Sequence, residues 1–145
     1  GKMAVGKKQI DGDWYYFKDW GGMYQNAFIK NGTSVCHAAA DGKLTVGWLQ
    51  QGSTYYYFDE TGEQYFDRFF EYDNNTYRVN ADGKMVTGWK QIGGVWYYMD
   101  ADGAMATGWR QTGPGQWYYL NANGAMAAST VIDGYTLDAS GLWVR

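Results

Sequence analysis

The chain has 145 residues and a formal net charge of −3, from 12 basic and 15 acidic side chains. Its 8 Trp, 14 Tyr and 6 Phe make it 19% aromatic, beside 21 Gly and a single Pro. That length fits one domain with a modest core and is too short for a catalytic domain plus a separate binding domain. Ile, Leu and Val are sparse, which weighs against an aliphatic helical bundle or a doubly wound parallel sheet. No block of like charge appears, so neither nucleic acid nor an anionic membrane is expected as main partner. No apolar run approaches the ~18 residues of a membrane-spanning helix. The one thiol, Cys36, cannot form an internal disulfide, and Cys-based zinc sites fail on ligand count. Gly1 reads as a cloning scar, and the chain as an excerpt of something longer.

Self-similarity organises the whole sequence. The segment from Gly88-Trp89 through Trp96-Tyr97-Tyr98 to Asp102-Gly103-Ala104-Met105 is repeated from Gly108-Trp109 through Trp117-Tyr118-Tyr119 to Asn123-Gly124-Ala125-Met126. Anchoring on the glycine seven residues beyond Trp96 extends the pattern in both directions. In chain order the units lie near 7–22, 28–42, 48–62, 69–83, 89–103, 109–124 and 129–145, read together as a single repeat domain over 1–145. Their anchor glycines are Gly21, Gly42, Gly62, Gly83, Gly103, Gly124 and Gly141. The position of Trp89 is filled by Lys7, Phe28, Trp48, Phe69, Trp89 and Trp109. That of Trp96 is filled by Trp14, Val35, Tyr55, Thr76, Trp96, Trp117 and Gly134.

Each unit reads as a β-hairpin. Two aromatic-rich runs flank Asp11-Gly12, Gly32-Thr33, Gly52-Ser53, Asp73-Asn74 and Gly93-Gly94, pairs suited to two-residue primed turns. The sixth unit carries one extra residue in Gly113-Pro114-Gly115. A second turn at Asp/Asn-Gly leads to the next unit. A lone hairpin is marginal in water, so stacking must bury the faces. The predicted fold is therefore all-β, a solenoid of stacked β-hairpins. With Gly93-Gly94 as the turn, Ile92 pairs Val95, Gln91 pairs Trp96, Lys90 pairs Tyr97 and Trp89 pairs Tyr98. Alternation then puts Trp89, Trp96 and Tyr98 on one face and Tyr97 on the other. A junction would combine two aromatics of one hairpin with the middle Tyr of the next.

The Gly-Trp, Trp-Tyr-Tyr and Asn-Ala-Asn-Gly-Ala-Met-Ala motifs resemble the choline-binding or cell-wall-binding repeats of Gram-positive surface proteins and lytic enzymes. The likeness is closest over 87–127 and degenerate elsewhere. Related repeats in glucan-binding proteins and clostridial toxins share the pattern while binding carbohydrate. The resemblance implies a left-handed hairpin superhelix with choline held between consecutive hairpins by three aromatics, a methionine closing some boxes. Carried onto this chain, the boxes are Trp89 and Trp96 with Tyr118 and Met105, Trp109 and Trp117 with Tyr135 and Met126, and Trp48 and Tyr55 with Tyr77. The last has Gln64 in the methionine position. The Phe28/Val35 and Phe69/Thr76 units lack a second π face, and Lys7 would repel a cation, so those three junctions are expected only to pack. No Asp or Glu occupies the inferred box positions.

A quaternary ammonium donates no hydrogen bond, so a cage of ring faces is its natural receptor. Regularly spaced aromatics are equally what the core of a small repeat protein would contain. Cys36-His37 is not a catalytic dyad, because strand neighbours point to opposite faces. Asp100-Ala101-Asp102-Gly103 and Asp11-Gly12-Asp13 follow turn chemistry rather than calcium-loop spacing. Glu60, Glu63 and Glu71 give no glycosidase pair.

Three readings follow. The leading one is a non-catalytic, cofactor-free module on the cell surface that anchors a secreted protein to phosphocholine of wall teichoic acids. The second is a glucan-binding module, for which Tyr55-Tyr56-Tyr57 beside Gln50 and Gln51 would serve as a platform. The third is a stalk without ligand.

Overall fold

The structure, a computed structural model, describes residues 4–145; Gly1 lies outside them. Among these residues there is no helix, and the strands follow one another as antiparallel hairpins. β1 (Gly6–Ile10) pairs β2 (Asp13–Phe17), β3 (Ala27–Asn31) pairs β4 (Ser34–Ala38), and β5 (Gly47–Gln51) pairs β6 (Thr54–Phe58). β7 (Arg68–Tyr72) pairs β8 (Asn75–Val79), β9 (Gly88–Ile92) pairs β10 (Val95–Met99), and β11 (Gly108–Gly113) pairs β12 (Gln116–Leu120). The last sheet has three strands, β13 (Thr130–Ile132), β14 (Tyr135–Leu137) and β15 (Trp143–Val144).

The turns explain these lengths. Asp11 and Gly12, Asp73 and Asn74, Gly93 and Gly94, and Asp133 and Gly134 all take positive φ, as a type I′ turn demands. In Gly32-Thr33 and Gly52-Ser53 only the glycine does so, the type II′ pattern. Observed pairing in β9–β10 is Ile92 with Val95, Gln91 with Trp96, Lys90 with Tyr97 and Trp89 with Tyr98, as the turn position predicts. The extra residue of the sixth unit is absorbed by a bulge between Gln111 and Gly113.

After each hairpin the chain makes a tight second turn and returns one residue to the sheet edge. In the fifth unit the Asp100 amide donates to Ala104 at 2.8 Å, the Gly103 amide donates to Asp100 at 2.8 Å, and Met105 then bridges Met99. Met23, Leu44, Gln64, Met85 and Met126 make the equivalent bridge in their own units.

The chain forms two compact units. One contains the residues up to Arg68 together with Val79–Met85; the other contains Phe69–Arg78 and Val86–Arg145. In each, the interior is built from the residue that ends a hairpin's second strand. In the first these are Ala38, Phe58 and Val79; in the second, Met99, Leu120 and Leu137, all at most 1% exposed. Small residues such as Ala106 fill the space around them. These end residues are joined in the core by Ile29, Val35, Cys36 and Leu44 of the second repeat and by Phe70 of the fourth, while most Trp and Tyr of the repeated triplets stay half-buried or exposed.

Candidate functional site

Hairpins of one unit are joined by a hydrogen bond that sets their stagger. The residue at the bridging position donates its amide to the carbonyl at the Trp96 position of the preceding hairpin. In the second unit, Met126 donates to Trp96 at 2.9 Å and Met105 to Thr76 at 2.7 Å. In the first, Leu44 donates to Trp14, Gln64 to Val35 and Met85 to Tyr55. This repeated contact carries the next hairpin's middle ring over the aromatic pair of the previous one.

At the C-terminal end, Trp109, Trp117, Tyr135 and Trp143 line one open cleft of about 350 Å³. Trp109 stands opposite Tyr119, and Trp117 opposite Gln111, so alternation puts both tryptophans on the same face of β11–β12. The Tyr135 ring lies 5.6 Å from Trp109 with planes at 81°, and Trp143 lies 5.6 Å from Tyr135 at 87°. Successive walls meet nearly at right angles, leaving ring faces turned towards the space between them.

Trp89, Trp96 and Tyr118 come together in the same way one repeat earlier. Trp89 is 4.8 Å from Tyr118 and 6.3 Å from Trp96, with planes at 71° and 84°. Tyr97 points to the opposite side of its hairpin, against Phe69 at 5.1 Å. Trp48 and Tyr55 form a corner of 89° at 6.3 Å within the first unit. Tyr77 belongs to the second unit, where it stacks on Phe70 at 5.9 Å.

Trp143, and not Met126, is among the residues that line the C-terminal cleft. Sequence comparison puts Met105 with Trp89 and Trp96, and Met126 with Trp109 and Trp117. In the structure the Trp109/Trp117 cleft is closed instead by Trp143, which pairs Leu137 just as Met105 bridges Met99. It is Met126 whose amide reaches Trp96, while that of Met105 reaches Thr76. The amide of each of these bridging residues is thus bonded to the hairpin before its own. The thioethers of Met105 and Met126 also pack tightly on the turn glycines Gly124 and Gly141.

Trp143 was missed in the sequence, although its place two residues after Gly141, the methionine position of the shortened last unit, was a signal that could have found it. Asp133 had no such signal. Its carboxylate accepts the Trp109 indole N–H at 3.1 Å, so an acid does border the C-terminal cleft although none occupies a wall position. The Arg145 guanidinium lies 4.3 Å from the Trp143 ring.

The degenerate junctions are packed by the chain's own groups. The Lys7 ammonium sits 5.1 Å from the Trp14 ring and 3.7 Å from a Glu63 carboxylate oxygen. Phe28 packs on Tyr56 at 5.7 Å, and the Arg78 guanidinium lies 4.8 Å from the Phe69 ring. Cys36 and His37 diverge as strand neighbours must. The thiol donates to Glu63 at 3.1 Å, whereas His37 Nδ1 meets the Thr45 hydroxyl at 2.8 Å. Burial, reinforced by the hydrogen bond to Glu63, pushes the Cys36 thiol up to about 12. A thiol held protonated in this way is no nucleophile at neutral pH.

Fold and aromatic clefts define a β-hairpin repeat module. Residues 86–130 match the choline-binding repeat family, and residues 8–23, 46–63 and 67–85 match the cell wall binding repeat family. The chain belongs to the choline-binding repeat proteins. It is similar to CbpJ from Streptococcus pneumoniae TIGR4, at 36% identity and a TM-score of 0.89 over 99% of this chain and 49% of that one. It is also similar to choline binding protein F from Streptococcus pneumoniae, solved in the presence of a peptidoglycan analogue, at 34% identity, a TM-score of 0.87, and coverage of 100% of this chain and 48% of that one. The modular autolysin LytC from Streptococcus pneumoniae matches at 27% identity and a TM-score of 0.51, over 90% of this chain and 36% of that one. The chain thus spans about half the length of the first two. No curated protein sequence matches it.

Proposed function

We propose that this chain is a non-catalytic module that holds a surface protein on the cell wall by binding the choline of phosphocholine-bearing teichoic acids. The observation that carries the reading is the cleft of Trp109, Trp117, Tyr135 and Trp143. Four rings face a common space in a protein whose core is built from other residues, so packing does not account for them. A trimethylammonium group seated there exchanges a loose water shell for several negative ring faces and leaves no polar atom unpaired. Trp89, Trp96 and Tyr118 form the second site. The Phe28/Val35 and Phe69/Thr76 junctions are not proposed as sites because their second position carries no ring, and Trp14 is not because Lys7 stands in the place of the first ring, its ammonium 5.1 Å from the second.

A ligand that binds only the native state raises the melting temperature by mass action. Millimolar choline is expected to do so, and a soluble glucan is not. A melt unmoved by choline but raised by glucan would overturn the reading.

A further inference from the structure

We infer that Asp133 makes the Trp109/Trp117/Tyr135/Trp143 cleft selective for positive charge, beyond what its rings alone provide. The inference rests on the choline reading above and assigns a specificity role to a residue outside the aromatic walls.

The last hairpin is shorter than those before it. Its strands β13 and β14 have three residues each, against five in β9 and β10. Counting back from the buried end residues Leu137 and Met99, Tyr135 corresponds to Tyr97, Gly134 to Trp96 and Asp133 to Val95. The turn has therefore moved down to the level where the longer hairpins carry paired strand residues. Asp133, at φ 54, begins that turn and meets Trp109 of the hairpin before. The preceding unit has Gln116 at this position, still within strand β12. The carboxylate is thus specific to the C-terminal cleft.

The bond to the indole has two consequences. It fixes the Trp109 ring against rotation, a positioning effect that any acceptor would give. It also places a formal negative charge 3.1 Å from the indole nitrogen, close enough to attract a cation resting on the ring face inside one Debye length. Rings attract any apolar group of the right size, whereas the carboxylate favours only the charged one. Arg145 beside Trp143 opposes this attraction, which makes the balancing acid more consequential.

The test separates charge from position. Asp133→Asn keeps an oxygen acceptor for the indole N–H and suits the first position of a type I′ turn. Choline and its neutral isostere, with a quaternary carbon in place of nitrogen, are titrated while following the indole N–H resonance of Trp109, which reports this cleft alone. Wild type should prefer choline, and Asp133→Asn should lower that preference roughly two- to fivefold, as for an exposed charge pair, with isostere affinity unchanged. Equal weakening of both ligands would reduce Asp133 to a positioning residue and overturn the inference, as would an unchanged preference. If wild type fails to bind choline at all, the functional reading itself falls. Retention of the Trp109 indole shift in the unliganded variant confirms that the ring has not moved.

Discussion

The ammonium of Lys7 lies 5.1 Å from the centre of the Trp14 ring, on the residue that corresponds to Trp96 in the fifth repeat. The first unit therefore supplies its own cation to a ring face that elsewhere is open, and Glu63 supplies the counter-charge. Trp14→Ala should leave choline binding unchanged in calorimetry while lowering stability. A loss of choline affinity in a folded Trp14→Ala protein would show that the face is used by ligand after all.

Trp117→Ala removes one wall of the C-terminal cleft without touching the buried residues. Choline affinity at that site should fall roughly three- to thirtyfold, the range of a desolvated cation–π contact. Retention on purified choline-bearing walls should fall by more than half. Two sites one repeat apart on a polymer carrying many cholines make the second engagement intramolecular. If wall retention only halves, the sites act independently.

Gly124 has φ +87, and a Cβ there would collide with the Met105 thioether. Gly134 has φ +84 with open space around its Cα. Each alanine substitution carries the left-handed backbone cost of about 1–2 kcal/mol. Gly124→Ala must in addition displace the flexible end of the Met105 side chain, a further but small cost. Urea denaturation should find Gly124→Ala the less stable of the two; equal losses would mean that Met105 moves aside freely.

The pH dependence has a sign on each side. The Cys36 thiol is raised from 9.0 to about 12, so the unfolded chain loses its proton first and stability falls as pH rises through that interval. His37 is lowered from 6.5 by burial, so the unfolded chain takes up a proton first and stability falls as pH drops below about 6.5. Stability measured by urea should be flat between these limits. Cys36→Ala should flatten the alkaline slope alone.

Some of this protein can be read directly from its residues, because the forces concerned are local. A Gly93-Gly94 pair between two short aromatic runs fixes a two-residue turn. That turn fixes which residues face each other, and alternation then sorts Trp89 and Trp96 from Tyr97. The same reasoning reaches Tyr118 and Tyr135, since the middle residue of a triplet must face the previous hairpin. The aromatic spacing did not reveal the core. Phe58, Met99 and Leu120 follow the triplets as single apolar residues with no periodic partner in their own strand.

What required the tertiary structure is the stagger between hairpins. It depends on hydrogen bonds such as Met126 to Trp96, made across thirty positions of chain, and no strand or turn propensity encodes that offset. The stagger ties the amide of each bridging residue to the hairpin before its own, and Trp143, in the bridging position of the last hairpin, lines the last cleft. Asp133 reaches Trp109 for a related reason: a shorter final hairpin lowers its turn to the level of the rings, a relation between two hairpins rather than a property of either. The sequence by itself determined the hairpins, their register and the rings that face outward, since each follows from neighbours a few residues apart. Which side chains close a cleft was decided only when one hairpin packed on the next.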